Sequence, residues 1–460
     1  MNTETEAKTP TLDRLALFEV QGLFRQFSYR IPLNLESHVT AIIAPNGSGK
    51  TICLRLISSF FARHWSFFAE IEFDSASYVF ESGYKVTVQR EQKSAESEES
   101  AFSFGLYFTI CPPDGEAVVW RPTPVDPKMA RSLPIDRYLP FLTRRAPNQF
   151  VHDYNGLSYT LQEAVETFSS SLPPNFRALL YGEEPPALNR LIKNIDCHLI
   201  ETQRLLILRD DVDDPYRGGR TSQRSTLAIS KKAQTLRTVI ANQLTAYANL
   251  SQSLDRSFPK RVITVHDASI LAPENLKARL AELDGKRASL MVAGILDSEA
   301  DDPVVLPPGP LADAISRVLS VYAQDTLQKL DFLTRLQSRI ELFIELIQER
   351  FSAKKVRVSK EHGFEISYVN RKVPLEKLSS GEQHQLVLFF ELLFELKENA
   401  LILIDEPELS LHVAWQKKFI SDLQRIIALN RFDVILATHS PQLIGRWTDL
   451  VVELGQVDSE

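Results

Sequence analysis

The chain has 460 residues, too many for one small core and enough for two or three modules. With 44% hydrophobic and 24% charged residues it has the composition of a folded globular protein and not that of a disordered chain. A net charge of −7 argues against blanket electrostatic binding to nucleic acid or anionic lipid, leaving only a local basic groove open. Cys53, Cys111 and Cys197 stand far apart with no CxxC spacing, which argues against a disulfide framework or zinc ribbon and suits a reducing compartment. The N-terminus has no apolar leader, and no stretch approaches the ~20 apolar residues a membrane span needs. A soluble cytoplasmic protein is expected.

From Leu17 to Ile43 the pattern predicts two short strands and a turn, the second strand ending abruptly at Pro45, Asn46 and Gly47. A helix follows from Lys50 to about His64, with Ile52, Leu54, Ile57, Phe60 and Phe61 as its inner stripe. Residues 70–122 alternate like strands, interrupted by the acidic, serine-rich run 91–100, read as a solvated hairpin tip. Residues 133–195 are mixed and helical with double-proline breaks, and 197–208 returns to strand character. From Ser225 to about Phe351 the period becomes helical, with Leu236, Ile240, Leu244, Tyr247 and Leu254 in one stripe and Leu276, Leu280, Leu283 and Leu290 in another. After the proline cluster 303–310, Ile315, Leu319, Tyr322, Leu330, Leu333, Ile340, Phe343 and Ile347 mark a helix of ~40 residues, ~60 Å long. A compact helical subdomain and a protruding coiled coil fit these stripes equally well. Strands return at 354–370, and α/β alternation runs to the end. The expected domains are 1–208, 209–352 and 353–460.

Residues 44–51, Ala-Pro-Asn-Gly-Ser-Gly-Lys-Thr, carry the phosphate-loop pattern GxxxxGK[ST] with alanine in place of the first glycine. Asn46, Gly47, Ser48 and Gly49 would bring backbone N–H groups onto phosphate oxygens at the positive end of the next helix. Lys50 would reach the β- and γ-phosphates, and the Thr51 hydroxyl would ligate Mg²⁺. Far downstream, the apolar strand Leu401–Ile404 ends in Asp405 and Glu406, a metal ligand and a general base for the attacking water. Ser379, Ser380, Gly381 and Glu382 open a helix whose inner face is Leu386, Leu388, Phe389 and Leu392. The strand 434–437 ends in Thr438, His439 and Ser440, placing an imidazole beside the γ-phosphate position.

With these four motifs in this order, the sequence resembles the ABC-type ATPases, in the branch of the SMC-like repair ATPases, RecF and the OLD-like proteins. Leu378-Ser-Ser-Gly-Glu-Gln383 resembles the signature LSGGQ, Glu406 the catalytic glutamate, Pro407–His412 the D-loop and His439 the switch histidine. The resemblance implies an α/β ABC-ATPase head, a mixed sheet with an antiparallel β subdomain, interrupted by a long helical or coiled-coil insertion. It also implies ATP and Mg²⁺ as ligands and a homo-oligomer. Each ATP would sit between one copy's phosphate loop and the Ser380–Gly381 signature of another. The Q-loop glutamine is left between Gln203 and the pair Gln89 and Gln92 nearer the phosphate loop, with Gln89 the favoured metal ligand. Arg217, Arg220 and Arg224 form either a nucleic-acid or partner contact or an exposed loop. The wide spacing of Lys50 from Gly381 is unlike a transporter. With so little sequence after His439, and no nuclease-type carboxylate cluster elsewhere, no nuclease site is expected in the chain. The layout is most similar to ATPase subunits of bacterial anti-phage systems, the PARIS type first and the Septu type second, which implies a separate nuclease partner. A DNA-clamping repair ATPase is the alternative.

Overall fold

The computed structural model of the chain describes residues 13–90, 105–123, 132–146, 148–153, 156–201, 206–207, 226–264, 270–297, 306, 311–351 and 353–455. The acidic run 91–100, Gln92, Gln203 and the three arginines at 217, 220 and 224 lie outside them. In chain order the main elements begin with strands β1 (Leu15–Leu23), β2 (Phe27–Pro32) and β3 (Val39–Ile43) and helices α1 (Lys50–Ala62) and α2 (Trp65–Glu70). Strands β4 (Ser75–Phe80), β5 (Lys85–Arg90), β6 (Leu106–Cys111) and β7 (Val118–Trp120) follow, and later β8 (Cys197–Glu201). Then come α3 (Ala228–Thr264), α4 (Pro273–Val292), α5 (Asp313–Gln348), β9 (Lys354–Ser359), β10 (Gly363–Tyr368) and β11 (Arg371–Val373). The last are α6 (Ser380–Phe390), β12 (Leu401–Asp405), α7 (Phe419–Asn430), β13 (Asp433–Thr438) and β14 (Val451–Glu453). Among the described residues no helix is long and apolar enough to cross a membrane.

These elements form two compact units. The first holds described residues 13–201 and 397–455 and is built on a parallel sheet in the order β8-β12-β13-β3-β14. Its inner strands are apolar almost throughout (VTAII, LILI, VILA), as strands covered on both faces must be. Asp405 pairs with Ala437 and Thr438 with Ile43, so β12, β13 and β3 end level with one another. The C-terminal edge of such a sheet is where α/β folds place their ligands.

A second, antiparallel sheet of the same unit runs β2-β1-β4-β5-β6-β7. Three strands thus occupy the stretch from Leu17 to Ile43 where the sequence predicts two, because Phe24 and Arg25 both take positive φ (54° and 57°) and fold the first run into a hairpin. Alternate residues Phe18, Val20, Tyr78, Val86, Val88 and Phe108 are fully buried on its inner face. Helix α1 lies between the two sheets: Leu54 and Ile57 are buried, and Phe60 stacks on Tyr78 with ring centroids 4.0 Å apart. The Tyr78 hydroxyl donates to the Leu56 carbonyl at 2.9 Å. The helix ends at Ala62, short of the expected His64, because Arg63 turns left-handed (φ 58°) before α2 begins.

The second unit holds described residues 206–207 and 226–396. Helix α5, with 36 residues, packs along both α3 and α4. Burial grades along these helices. Leu236, Ile240, Leu333, Ile340, Phe343 and Ile347 are buried, whereas Leu244, Tyr247 and Leu254 are half-buried and Ile315 is exposed. The apolar stripe of the sequence therefore fades toward one end, where ion pairs join the helices instead, Lys329 to Asp255 at 2.6 Å and Arg261 to Asp325. The antiparallel sheet β9-β10-β11 and helix α6 pack on the opposite end, so residues 353–396 group with the helices and the division falls near 397. Helix α6 runs on into a π-helical turn, Glu391–Glu395, whose two glutamates hold the Lys232 ammonium at 2.8 and 2.6 Å. Its inner face is Leu386, Val387, Phe389 and Phe390, with Leu388 only half-buried.

Candidate functional site

The loop between β3 and α1 is held in place by its own chemistry. Gly47 and Gly49 take φ of 83° and 85°, conformations a side chain rarely adopts. A Cβ at Gly47 would meet nothing within 4 Å, so the glycine answers to backbone shape and not to crowding. Ala44 keeps negative φ, which is why alanine serves where the motif usually has glycine. From β2, the buried Tyr29 hydroxyl donates to the Ser48 carbonyl at 2.7 Å, and burial pushes that phenol up to about 12. Helix α1 has Gly49 as its N-cap, no capping side chain and no acid in its first turn. Its N–H groups and dipole face the loop uncompensated, an arrangement suited to an anion.

Lys50 is 5% exposed, and its ammonium donates to the carbonyls of Ala44 at 2.7 Å and Pro45 at 3.0 Å. The Thr51 hydroxyl donates to Asp405 Oδ2 at 2.8 Å. Asp405 Oδ1 is buried with no hydrogen-bond partner among the described residues. Burial pushes the Asp405 carboxyl above its ordinary value and neighbouring Glu406 adds to this, against the Thr51 hydrogen bond and the charges of Lys50 and Arg55. A hydroxyl, a carboxylate and an orphaned buried oxygen side by side fit a hard cation such as Mg²⁺, which takes one or two protein oxygens and shares phosphates. Phe24, Asn46, Gly47, Gly49, Lys50, Thr51, Ile52 and Glu406 line a cavity of about 310 Å³.

Glu406 follows β12 in left-handed conformation (φ 47°), a strain of about 1–3 kcal/mol for a residue with a side chain. Its main-chain N–H donates to Ala437 at 2.9 Å, and its Oε1 lies 3.7 Å from His439 Nδ1 at the end of β13. The level strand ends thus bring the phosphate loop, Asp405, Glu406 and His439 together.

In the other unit, Ser379 caps α6. Its hydroxyl accepts the Glu382 N–H, and the Glu382 carboxylate accepts the Ser379 N–H. Lys354 donates to both Glu382 oxygens at 2.6 and 2.8 Å. Burial alone would raise the Glu382 carboxyl, but Lys354 and Ser379 together hold it below its ordinary value. The Gln383 amide donates to the carbonyls of Leu375, Glu376 and Leu378, fixing the turn beneath the helix start, while Ser379 and Ser380 stay exposed. Gln89 sits in β5 with its main chain paired to Ser75 and Tyr107, and it is not among the residues that line the cavity.

Phe24, Tyr29 and Arg55 were not singled out from the sequence, and Gln383 was named only as the end of the signature-like run, not for its role in the turn. Each acts on the motifs through a hairpin, a helix face or a turn that no local pattern announces. The nearest signal was the L-S-S-G-E-Q run itself, whose glutamine could have been read as a turn clamp.

None of the curated proteins matches the chain. Among solved structures, it is similar to the Smc head domain with an extended coiled coil from Pyrococcus furiosus, at 12% identity over 96% of this chain and 94% of that one, with a TM-score of 0.32. It is likewise similar to the SMC head domain from Thermotoga maritima, at 13% identity, 96% and 94% coverage and a TM-score of 0.32. Residues 311–444 match the AAA ATPase domain family, a stretch that includes Ser379–Glu382, Asp405, Glu406 and His439, and this match supports ATPase activity.

Proposed function

We propose that the chain binds Mg–ATP at the cavity under Gly47–Thr51 and hydrolyses it, each nucleotide being shared with the Ser379–Glu382 helix end of a second copy. The observation that carries this is the Thr51–Asp405 pair, with its orphaned carboxylate oxygen, beside an acid-free helix N-terminus and a buried lysine. The N–H groups around Gly47 and Gly49 bind the phosphates, and Lys50 exchanges its carbonyl partners for the β- and γ-phosphate oxygens. Glu406 takes a proton from the attacking water, and His439 steadies the γ-phosphate. Thr51 and Asp405 would hold Mg²⁺, which neutralises charge developing on the phosphates. Phosphate release tests the assignment. Lys50→Ala should lower ATP affinity by roughly 100-fold or more. Glu406→Gln should keep binding and slow turnover by roughly 10²–10⁴-fold. Wild-type turnover in the Glu406→Gln chain would remove Glu406 as the base.

For the finer role we infer a sensor or scaffold subunit of an anti-phage complex that controls a separate nuclease. The support is the spread of head motifs around a helical insertion, together with the net charge of −7, which disfavours the DNA-clamping alternative. Co-expression with the product of the adjacent gene should yield a complex with ATP-dependent toxicity. A steep salt dependence of DNA binding in the presence of ATP would favour the clamp instead.

A further inference from the structure

Two residues past Glu406, in the short 3-10 turn Pro407–Ser410, the side chain of Glu408 is 4% exposed. One of its oxygens, Oε1, receives the Thr438 hydroxyl at 2.7 Å and the His439 main-chain N–H at 2.8 Å, and lies 3.1 Å from His439 Nδ1. All three groups belong to the last residues of β13 and the step beyond it. The other oxygen is buried without a hydrogen-bond partner among the described residues. Gln416 braces the same turn, donating to the Leu411 carbonyl at 3.2 Å and accepting from the Ser440 hydroxyl at 2.9 Å. Ser440 N–H in turn donates to the Thr438 hydroxyl oxygen at 3.0 Å.

A buried carboxylate is an expensive way to fill space, and an apolar side chain would pack there at lower cost. Its use here is directional. A carboxylate only accepts, so a ring nitrogen that bonds to it must carry the hydrogen, and closing the 3.1 Å approach to Nδ1 would set the His439 tautomer and leave Nε2 for the nucleotide. The bonds from the Thr438 hydroxyl and the His439 main-chain N–H fix where the main chain leaves β13, and with it the root of the ring. The same Nδ1 lies 3.7 Å from Glu406 and nearer to Glu408, so drawing it toward Glu408 would keep the proposed base available for water.

We propose that Glu408 is a positioning residue for ATP hydrolysis, acting through His439 and not on the nucleotide. This rests on the ATPase reading of the site. The test compares Glu408→Gln and Glu408→Leu for kcat, ATP affinity and the ¹⁵N–¹H pattern of the His439 ring, the last assigned with a His439→Gln chain. In wild type, Nδ1 should carry the hydrogen. In the Leu chain that preference should be lost and kcat should fall roughly 10–100-fold, with ATP affinity within about threefold. The Gln chain, which still offers an oxygen to Thr438 and His439, should lose less. On a His439→Gln background neither change should add a further loss. If the Leu chain fails to fold, the isosteric Gln chain decides by the same readouts. The proposal is overturned if the ring pattern is unchanged in the variants, if affinity falls in step with kcat, or if the losses persist without His439. A shifted ring pattern in a protein that hydrolyses no ATP would instead uphold the positioning contact and sink the ATPase reading.

Discussion

Burial raises the Asp405 carboxyl, and its Oδ1 lacks a partner among the described residues, so at neutral pH the ionised side chain is a local cost to the fold. That cost falls as pH drops through the raised folded value. Asparagine mimics the protonated state and still accepts from Thr51. Asp405→Asn should therefore stabilise the nucleotide-free protein at pH 7, by no more than about 1 kcal/mol after solvent screening, while abolishing Mg²⁺-dependent turnover. Thermal melts with and without Mg–ATP check both halves. The left-handed Glu406 adds backbone strain beside it, at the site proposed for hydrolysis. At this scale the sequence was most legible in residues 44–51, because the loop's glycines, lysine and threonine act within one turn of each other. Glu408 was legible only as part of a D-loop run. Its partners, Thr438 and His439, lie about thirty positions away and meet it only once β12 and β13 pair.

Helix α6 shows how an element can be both ordinary and poised. Ser379 is a plain N-cap, Gln383 clamps the preceding turn, and Lys354 neutralises Glu382, yet Ser380 at the helix start remains exposed. Glu382 is held below its ordinary value of 4.5 in the folded state, so its contribution is complete above that pH and is lost as pH falls beneath it. Melting temperatures of wild type and Glu382→Gln should differ at pH 7 and converge toward pH 3. Parallel curves would remove the Lys354–Glu382 contact from the account. In the other unit, Glu166 is buried and accepts from the Ser66 N–H and hydroxyl and from the Tyr181 hydroxyl. Glu166→Ala would strand those donors and should cost roughly 2–4 kcal/mol in denaturant unfolding, with no effect on ATP affinity. Element boundaries were legible where periodicity was local, as in α1 and α5. They were lost at the β1–β2 hairpin, where two non-glycine residues take positive φ; within α5 the pattern misplaced only Ile315, an apolar periodic position that faces solvent.

For the whole molecule, the order of motifs along the chain announced an α/β unit interrupted by long helices, but not which segments pack together. Residues 353–396 read as the start of the second half of the head, yet their strands and helix bury their apolar faces on the long helices. No periodicity states that preference, because it depends on partners distant in sequence. The phosphate loop and the Ser380 helix end therefore belong to different units of one chain, and the proposed function has them meet on one nucleotide across two chains. Light scattering on Glu406→Gln measures this most directly, since that chain should bind ATP and hold it uncleaved. With Mg–ATP the mass should at least double relative to the nucleotide-free protein, and a further Ser380→Arg change should return it to a single chain. A Glu406→Gln protein that holds ATP tightly and stays at the mass of one chain would contradict the account.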